Sequence, residues 1–338
     1  MILIPYVISD NRRCGVIGYG SWATALVHAL TNNGIEVWWH VKNEQIRECL
    51  HSEGRNAKYL SDLTLDMTLI NISDNINEVI RHCEVLLVAT PSAFLKNVFN
   101  NATESLKTKF ILSATKGFVG KEEYTVTEYF KNRYAIDYSH LGVISGPSHA
   151  EEVSRGKLTY LTVACKVKEN TRLIKQMFQS KNLKIKSSQD IFGIEYAANL
   201  KNIYSIASGL VTGLGYGDNF KAVLSAACIA ELTWYLDNRY PFLRNTMGSA
   251  YLGDLLVTSY SSFSRNRRLG QLIGQGCSVK SALNEMTMIA EGYYAAYSLH
   301  EINKRLKISL PIAEMVYDIL YNSANPRKKM QELSELFG

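Results

Sequence analysis

The first 190 residues alternate between two periodicities, and that alternation is the strongest constraint on what the chain can fold into. Short apolar runs rich in β-branched residues recur at 14–17, 36–41, 69–72, 85–89, 110–114, 141–144, 160–165 and 183–186. Between them, apolar residues fall at helical spacing over 21–32, 44–52, 76–83, 93–104, 123–131, 150–154 and 170–180. This strand–helix order predicts an α/β fold, a Rossmann-like doubly wound parallel sheet. After about residue 190 strand-like runs cease, and helical patterns at 191–210, 220–236, 267–274, 279–286, 291–306 and 312–321 take over. The expected organisation is an extension at 1–11, an α/β domain at 12–190 and an all-α domain at 191–338.

The length of 338 residues suits two domains. Apolar residues make up 46% and charged residues 20%, the balance of a globular chain with a sizeable core. Lys and Arg number 37 against 31 Asp and Glu, a net charge of +6. That mild excess suits a small anionic substrate and does not call for nucleic acid. The six cysteines, at 14, 49, 83, 165, 228 and 277, form no C-x-x-C pair and no zinc-like spacing. They read as reduced thiols of a cytoplasmic chain, with no metal. No apolar stretch is long enough for membrane insertion. The apolar start, 1–8, is followed and not preceded by Arg12 and Arg13, the wrong order for a signal peptide. It is expected either as a flexible extension or as a segment lying against the sheet.

Gly18-Tyr19-Gly20-Ser21-Trp22-Ala23 directly follows the first strand and opens the first helix. The first glycine permits a tight turn, the second lets backbone approach a pyrophosphate, and Ala in the third slot allows close helix–strand packing. Between a strand and a helix the motif points to a dinucleotide. At the end of the second strand an acid would favour NAD by holding the ribose hydroxyls. This chain has His40 and Lys42 there and no acid, so NAD or NADP is expected, with NADP tolerated or preferred.

Four further segments carry chemistry. Thr115-Lys116-Gly117 and Ser145-Gly146-Pro147-Ser148 each follow a strand, at the carboxyl edge where open α/β sheets bind ligands. Ser148 and Glu151 have capping-box spacing, so a helix cap is the competing reading of Ser148. Asn199-Leu200-Lys201-Asn202 lies within an otherwise apolar, small-residue helix, where a Lys–Asn pair is costly unless used. Asp254 is followed about three helical turns later by Ser264-Arg265-Asn266-Arg267-Arg268, which opens another helix and makes an anion site. Two neighbouring lysines would lower each other's pKa and give an acid–base group near neutrality, with an aspartate to orient them. Arg267 and Arg268 read as a solvated face.

These segments, in this order, resemble the bacterial NAD(P)-dependent glycerol-3-phosphate dehydrogenase family from about residue 15 to the C-terminus. The resemblance is carried by G-x-G-S-W-x-T-A-L (18–26), T-K-G (115–117), S-G-P-S-x-A-E-E (145–152), L-K-N (200–202), G-D-L-x-x-T (253–258), S-R-N-R-R-x-G (264–270), Ala290-Glu291-Gly292 and Leu310-Pro311-Ile312. It implies reversible reduction of dihydroxyacetone phosphate to sn-glycerol 3-phosphate, supplying glycerophospholipid synthesis, and by analogy a homodimer. It also implies roles. Lys201 would exchange the proton, assisted by Lys116 and Asp254. These three, with Gly146, Ser148, Ser264, Arg265 and Asn266, would bind substrate. Gly18, Gly20, Ser21, Trp22, Lys42, Lys116, Ala150, Arg265, Ile289 and Glu291 would line the cofactor.

The chain departs from the family pattern at Ala197-Ala198, Ala227-Cys228 and Tyr251, which puts helix packing in question and not the chemistry. Two rivals stand beside this reading. One is another two-domain dehydrogenase, similar to a ketopantoate reductase or an opine dehydrogenase. The other is a non-catalytic nucleotide sensor.

Overall fold

A computed structural model describes residues 5–10, 12–121, 123–286 and 288–337. Of the 1–11 segment, residues 1–4 and 11 therefore lie outside the described residues. The chain forms two compact units, one of residues up to 115 with 124–191, the other of 116–123 with 192–338.

The first unit is an eight-stranded sheet of β1 (Arg13–Ile17), β2 (Glu36–His40), β3 (Ile70–Ser73), β4 (Val85–Val88), β5 (Phe110–Ser113), β6 (Leu141–Ser145), β7 (Thr159–Cys165) and β8 (Leu183–Ser188). Their order is β3-β2-β1-β4-β5-β6-β7-β8. Its helices are α1 (Ser21–Thr31), α2 (Glu44–Glu53), α3 (Ile76–His82), α4 (Ser92–Phe99), α5 (Val126–Tyr134), α6 (Ala150–Ser154) and α7 (Lys168–Phe178). β4 is buried at all four positions, the continuous apolar run expected of a strand covered on both faces. The order reverses between β1 and β4, so the Gly18 turn, at the carboxyl end of β1, stands at the topological switch point.

Every pair is parallel except β6–β7, which is antiparallel. Between those strands the chain forms only the five-residue α6, too short to return β7 to the opposite edge of the sheet. Two helices depart from their expected bounds. α4 stops at Phe99, where Asn100, Asn101 and Thr103 compete poorly for helix and Asn77 Oδ1 draws in the amides of Thr103 and Glu104 at 2.7 and 3.0 Å. α5 begins three residues late because Thr125 and Glu128 form a capping box. Segment 5–10 lies against the first unit. Glu84 accepts from Tyr6, Ser9 and Asp10, and Asn170 Oδ1 accepts from Ile8 N at 2.9 Å.

The second unit is helical: α8 (Ile191–Gly213), α9 (Asp218–Arg239), a π-helical turn (Ser249–Gly253), α10 (Asp254–Tyr260), α11 (Arg265–Gly274), α12 (Val279–Glu285), α13 (Glu291–Leu306), α14 (Pro311–Tyr321) and α15 (Pro326–Glu335). α8 is buried continuously from 193 to 211, on all sides. Ala197, Ala198, Cys228 and Tyr251 are all buried in this unit. α10 and α15 were not expected. α10 has seven residues and α15 buries only Met330 and Leu333, so neither carries a full apolar stripe. α15 does carry a start signal, Asn325 as cap and Pro326 at its first turn. Among the described residues no helix is long and apolar enough to cross a membrane.

α8 and α11 touch backbone to backbone. A Cβ on Gly209 would lie 2.1 Å from Arg267 O, on Gly270 2.0 Å from Ile206 O, on Gly213 2.3 Å from Gln271 O and on Gly274 2.8 Å from Leu210 O. Gly270→Ala must push the helices apart, at a cost of about 3 kcal/mol or more. That corresponds to a fall in Tm of roughly 6–12 °C by calorimetry. Gly217→Ser, in open space at the N-cap of α9, is expected to leave Tm unchanged or raised.

Candidate active site

The polar residues of α8 line a seam. Lys201 and Ser205, four residues apart and so on one face, meet α10 and the residue preceding α11. Ser205 Oγ donates to Thr258 O at 2.8 Å and pairs with Ser264 Oγ at 2.8 Å; Ser208 Oγ donates to Ser259 O at 3.0 Å. The hydroxyls of Ser205, Ser208 and Ser264 thus each have a partner, which removes the penalty for burying them.

Lys201 is 5% exposed and Asp254 1% exposed. Lys201 Nζ donates to Asp254 Oδ1 and, at 2.9 Å, to Thr258 Oγ1. Thr258 Oγ1 donates in turn to Asp254 O at 2.7 Å. Lys116 Nζ ion-pairs with the other carboxylate oxygen, Oδ2, at 3.6 Å. One buried carboxylate therefore holds two lysines. Burial pushes the Lys201 ammonium down to about 7, the positive charge of Lys116 adds to the fall, and Asp254 opposes it. Burial is the largest cause, ahead of the lysine–lysine repulsion read from the sequence. An ammonium has three N–H donors, so two engaged leave one for a ligand oxygen.

Beside the seam, Ser264 caps α11, accepting from Arg267 N at 3.2 Å. Asn266 is buried, and its Oδ1 accepts from Gly292 N at 2.9 Å, which leaves its NH2 group as the remaining donor. Gly292 is required there, since a Cβ would lie 2.5 Å from Asn202 O. Arg265 is exposed and has no hydrogen-bond or ion-pair partner among the described residues. Arg268 pairs with Glu285 at 2.7 Å. Arg267 is half-buried, with its Nε buried and lacking a hydrogen-bond partner, so it departs from the solvated face expected of it. Ile289 is half-buried in the segment before α13, and Glu291 is its first residue.

The other candidates lie in the first unit. Gly18 has φ +124°, and a Cβ on it would sit 2.5 Å from Ala89 O at the end of β4. Trp39 Nε1 donates to Gly18 O at 2.7 Å, and Asn56 Nδ2 to Tyr19 O at 2.9 Å, which fixes the turn from both sides. Gly20 is the N-cap of α1, with open space where its Cβ would be, no side-chain cap and no acid in the first turn formed by Ser21 and Trp22. The uncapped amides and the open space suit a dinucleotide pyrophosphate. Trp22 packs on Ala25, Ala150 and Val153, where α6 meets α1. At the end of β2, His40 Nε2 donates to Asp74 O at 3.2 Å, and burial lowers its pKa. Lys42 is exposed. Arg47 Nη1 donates to the carbonyls of Val41 and Lys42 at 3.0 and 2.9 Å. Gly146 has φ +144°, and a Cβ there would lie 2.8 Å from Tyr160 O. Ser148 does not form the capping box with Glu151 that was its competing reading. His149 is the N-cap of α6, and Ser148 Oγ folds back to donate to Gly146 O at 3.0 Å.

Sequence reading left several supporting residues out of the site. Thr258 and Ser205 each stand four residues beyond a chosen residue, a helical signal that could have found them. Trp39 and Asn56 act through tertiary contacts with no local signature, whereas Asn199 belongs to the polar segment 199–202 but was given no role there.

A switch-point glycine turn in a doubly wound sheet, and a helical unit carrying a buried Lys–Asp–Lys cluster, define a nicotinamide-nucleotide-dependent dehydrogenase. Family models bear on which one. The model described as NAD-dependent glycerol-3-phosphate dehydrogenase N-terminus matches residues 13–171, and that described as its C-terminus matches 190–331. The glycerol-3-phosphate dehydrogenase (NAD(P)+) of Staphylococcus carnosus is 34% identical over 311 residues, 91% of this chain and 93% of its own. That of Staphylococcus aureus strain JH9 is 33% identical over 322 residues, 95% of this chain and 97% of its own. The crystal structure of glycerol-3-phosphate dehydrogenase from Coxiella burnetii superposes with a TM-score of 0.88 at 25% identity, covering 96% of this chain and 99% of that one. The chain belongs to the NAD-dependent glycerol-3-phosphate dehydrogenase family.

Removing the carboxylate tests the electrostatics. Asp254→Asn leaves Lys201 buried without a counter-charge wherever that lysine is charged, a loss of about 3 kcal/mol at low pH. Without Asp254 the folded-state pKa of Lys201 falls below the value of about 7 that it has in the parent. Relative to the parent, the penalty is therefore full below the variant's folded pKa and disappears as pH rises through about 7, above which Lys201 is neutral in both. Urea midpoints of variant and parent are expected to differ strongly at about pH 5 and weakly at about pH 9.

Proposed function

We propose that the chain interconverts dihydroxyacetone phosphate and sn-glycerol 3-phosphate with NADPH or NADH, in the cytoplasm, the reduction supplying glycerophospholipid synthesis. The observation that carries this reading is the buried Lys201, held by Asp254 and Thr258 with one donor left over, in the same unit as the start of α11. The nicotinamide, when bound, supplies hydride in reduction and accepts it in oxidation. Lys201 donates its remaining N–H to the ketone oxygen and passes that proton on as the oxygen becomes a hydroxyl; in the reverse direction neutral Lys201 takes it back. Asp254 and Thr258 hold Nζ in place, and Lys116 brings a second positive charge to the developing oxyanion.

The start of α11 takes the phosphate. Arg265 offers an unpaired guanidinium and Asn266 its NH2 group, with Ser264 fixing the helix end and the dipole favouring an anion. Gly146 and Ser148 serve the substrate. Gly18, Gly20, Ser21, Trp22 and Ala150 serve the cofactor, with Lys116, Arg265, Ile289 and Glu291. Lys42 stands where a 2′-phosphate is read, as a point charge without a guanidinium fork.

Pure protein is expected to consume NADPH or NADH on addition of dihydroxyacetone phosphate, followed by absorbance; no turnover with either would overturn the proposal. Because reduction needs the charged Lys201, kcat/KM for the ketone falls as pH rises through its pKa near 7, while kcat/KM for glycerol 3-phosphate oxidation rises over the same range. Arg265→Ala is expected to lower kcat/KM for dihydroxyacetone phosphate by roughly 10- to 100-fold, the loss of one charge-assisted contact. It should leave plain dihydroxyacetone unchanged, and equal losses on both would remove the phosphate assignment.

Lys42→Ala separates the two cofactors. KM for NADPH is expected to rise about tenfold, with KM for NADH within about twofold of the parent, since only the first carries the extra phosphate.

A further inference from the structure

Residues 116–123 follow β5 in the chain but pack as part of the helical unit. This strap begins with Lys116 and buries Phe118, Val119 and Glu123. At its far end Glu123 ion-pairs with Arg305 of α13 at 3.3 Å. In its middle the Phe118 ring stands edge-on to Tyr196 of α8, centroids 5.9 Å apart. Near Lys116 itself, Asn199 holds the backbone.

Asn199 is fully buried. Its Oδ1 accepts from Gly117 N at 2.5 Å, and its Nδ2 donates to Gly117 O at 3.4 Å. One side-chain amide thus satisfies both backbone groups of a single residue. Gly117 has φ +111°, a conformation that L side chains rarely adopt. The amide plane beside Lys116 is therefore set both by a glycine-only torsion and by the Asn199 clamp. Asn199 and Lys201 are two residues apart on α8 and point to opposite sides of it, about 200° apart. Among the described residues, the side-chain hydrogen bonds of Asn199 go to Gly117 and not to Lys201 or Asp254. Its route to that pair runs through Gly117 and Lys116, whose Nζ lies 3.6 Å from Asp254 Oδ2.

We propose that Asn199 is a positioning residue for the reaction: by clamping the Gly117 amide it keeps Lys116 on Asp254 and beside Lys201. This rests on the roles given to Lys116 and Lys201 under the proposed function. The groups facing Lys201 are Asp254 and Thr258 from α10 and Lys116 from the strap. Releasing Lys116 removes a like charge from that set and leaves the carboxylate, so the pH at which ketone reduction is lost moves upward.

The test uses Asn199→Leu, similar in size and without hydrogen bonds, and Asn199→Ala as a milder second variant, each alone and in a Lys116→Met background, in the full-length protein. The expected result is a fall in kcat/KM of about tenfold in the parent background, the equivalent of one lost hydrogen bond. The pH limb moves upward in that background, and no further fall occurs in Lys116→Met. Equal falls in both backgrounds, or an unmoved limb, would overturn the inference in favour of a merely structural asparagine. A readout that needs no turnover separates this from failure of the functional reading. The rate at which acetic anhydride labels Lys116, followed by mass spectrometry, is expected to change several-fold in either Asn199 variant, and an unchanged rate would overturn the clamp even if the parent protein turned over no substrate.

Discussion

Gly209 and Gly213 on α8 face Gly270 and Gly274 on α11, and at all four positions a methyl group would meet backbone of the other helix within 3 Å. Close approach of this kind fixes both the separation and the register of two helices, because glycines four residues apart recur on one face. Its consequence lies at the end of α11. With the helix bodies locked, the capping residue Ser264 comes within hydrogen-bond distance of Ser205, and Asn266 reaches the amide of Gly292. The phosphate grip proposed for Arg265 and Asn266 is therefore held to the helix that carries Lys201 by backbone contact and not by a loop. A site built on packed helices keeps its geometry better than one built on loops.

The second constraint is electrostatic. An almost fully buried carboxylate with a lysine on each oxygen is poor evidence of stability, since desolvation consumes most of the attraction. The same burial that weakens the pair as a staple makes it useful as chemistry. It brings the Lys201 ammonium near neutrality, where its proton can be given up and regained. Asp254 opposes that fall but fixes Nζ in direction. The cluster trades charge stabilisation for a group of defined orientation and mobile proton, which is what a general acid–base role requires.

How far this was legible in the sequence depends on whether the signal was local. β4, buried on both faces, is a plain apolar run, and the Gly18 turn is a contiguous motif. Lys201 stood out because a charge inside an apolar helix demands a reason, and Asp254 because it precedes the arginine-rich helix start. The helix cap that competed for Ser148 does not form: the spacing to Glu151 satisfies the pattern, but His149 is the N-cap and the Ser148 hydroxyl donates to Gly146 O. The antiparallel β7 and the strap at 116–123 were hidden for a different reason. Both are decided by where a short connection can reach or which unit a segment packs against, and neither leaves a periodicity. Trp39 and Asn56, which tie down the glycine turn, belong to this class as well, since their partners are backbone carbonyls that no side-chain pattern reveals.

Under the proposed function the two units bind anions by different means. In the first, the recognition groups are backbone amides at Gly20 and the start of α1, and side chains such as Trp39 act only to hold the turn in shape. A glycine turn offers donors without charge, so its specificity lies in geometry, and any Cβ at Gly18 would destroy it against Ala89 O. In the second, the groups are charged side chains on α8, α10, α11 and the strap. These need partners to be buried at all, and the hydroxyls of Ser205, Ser208, Thr258 and Ser264 provide them or satisfy the backbone around them. Because those hydroxyls are paired, two donors beside them, one on Lys201 and the amide of Asn266, are held in fixed places before any ligand arrives. Preorganised donors of this kind stabilise developing charge without reorganisation at the moment of reaction. The polar residues of α8, costly in a buried helix taken alone, are thus the condition for the two donors proposed to meet a substrate.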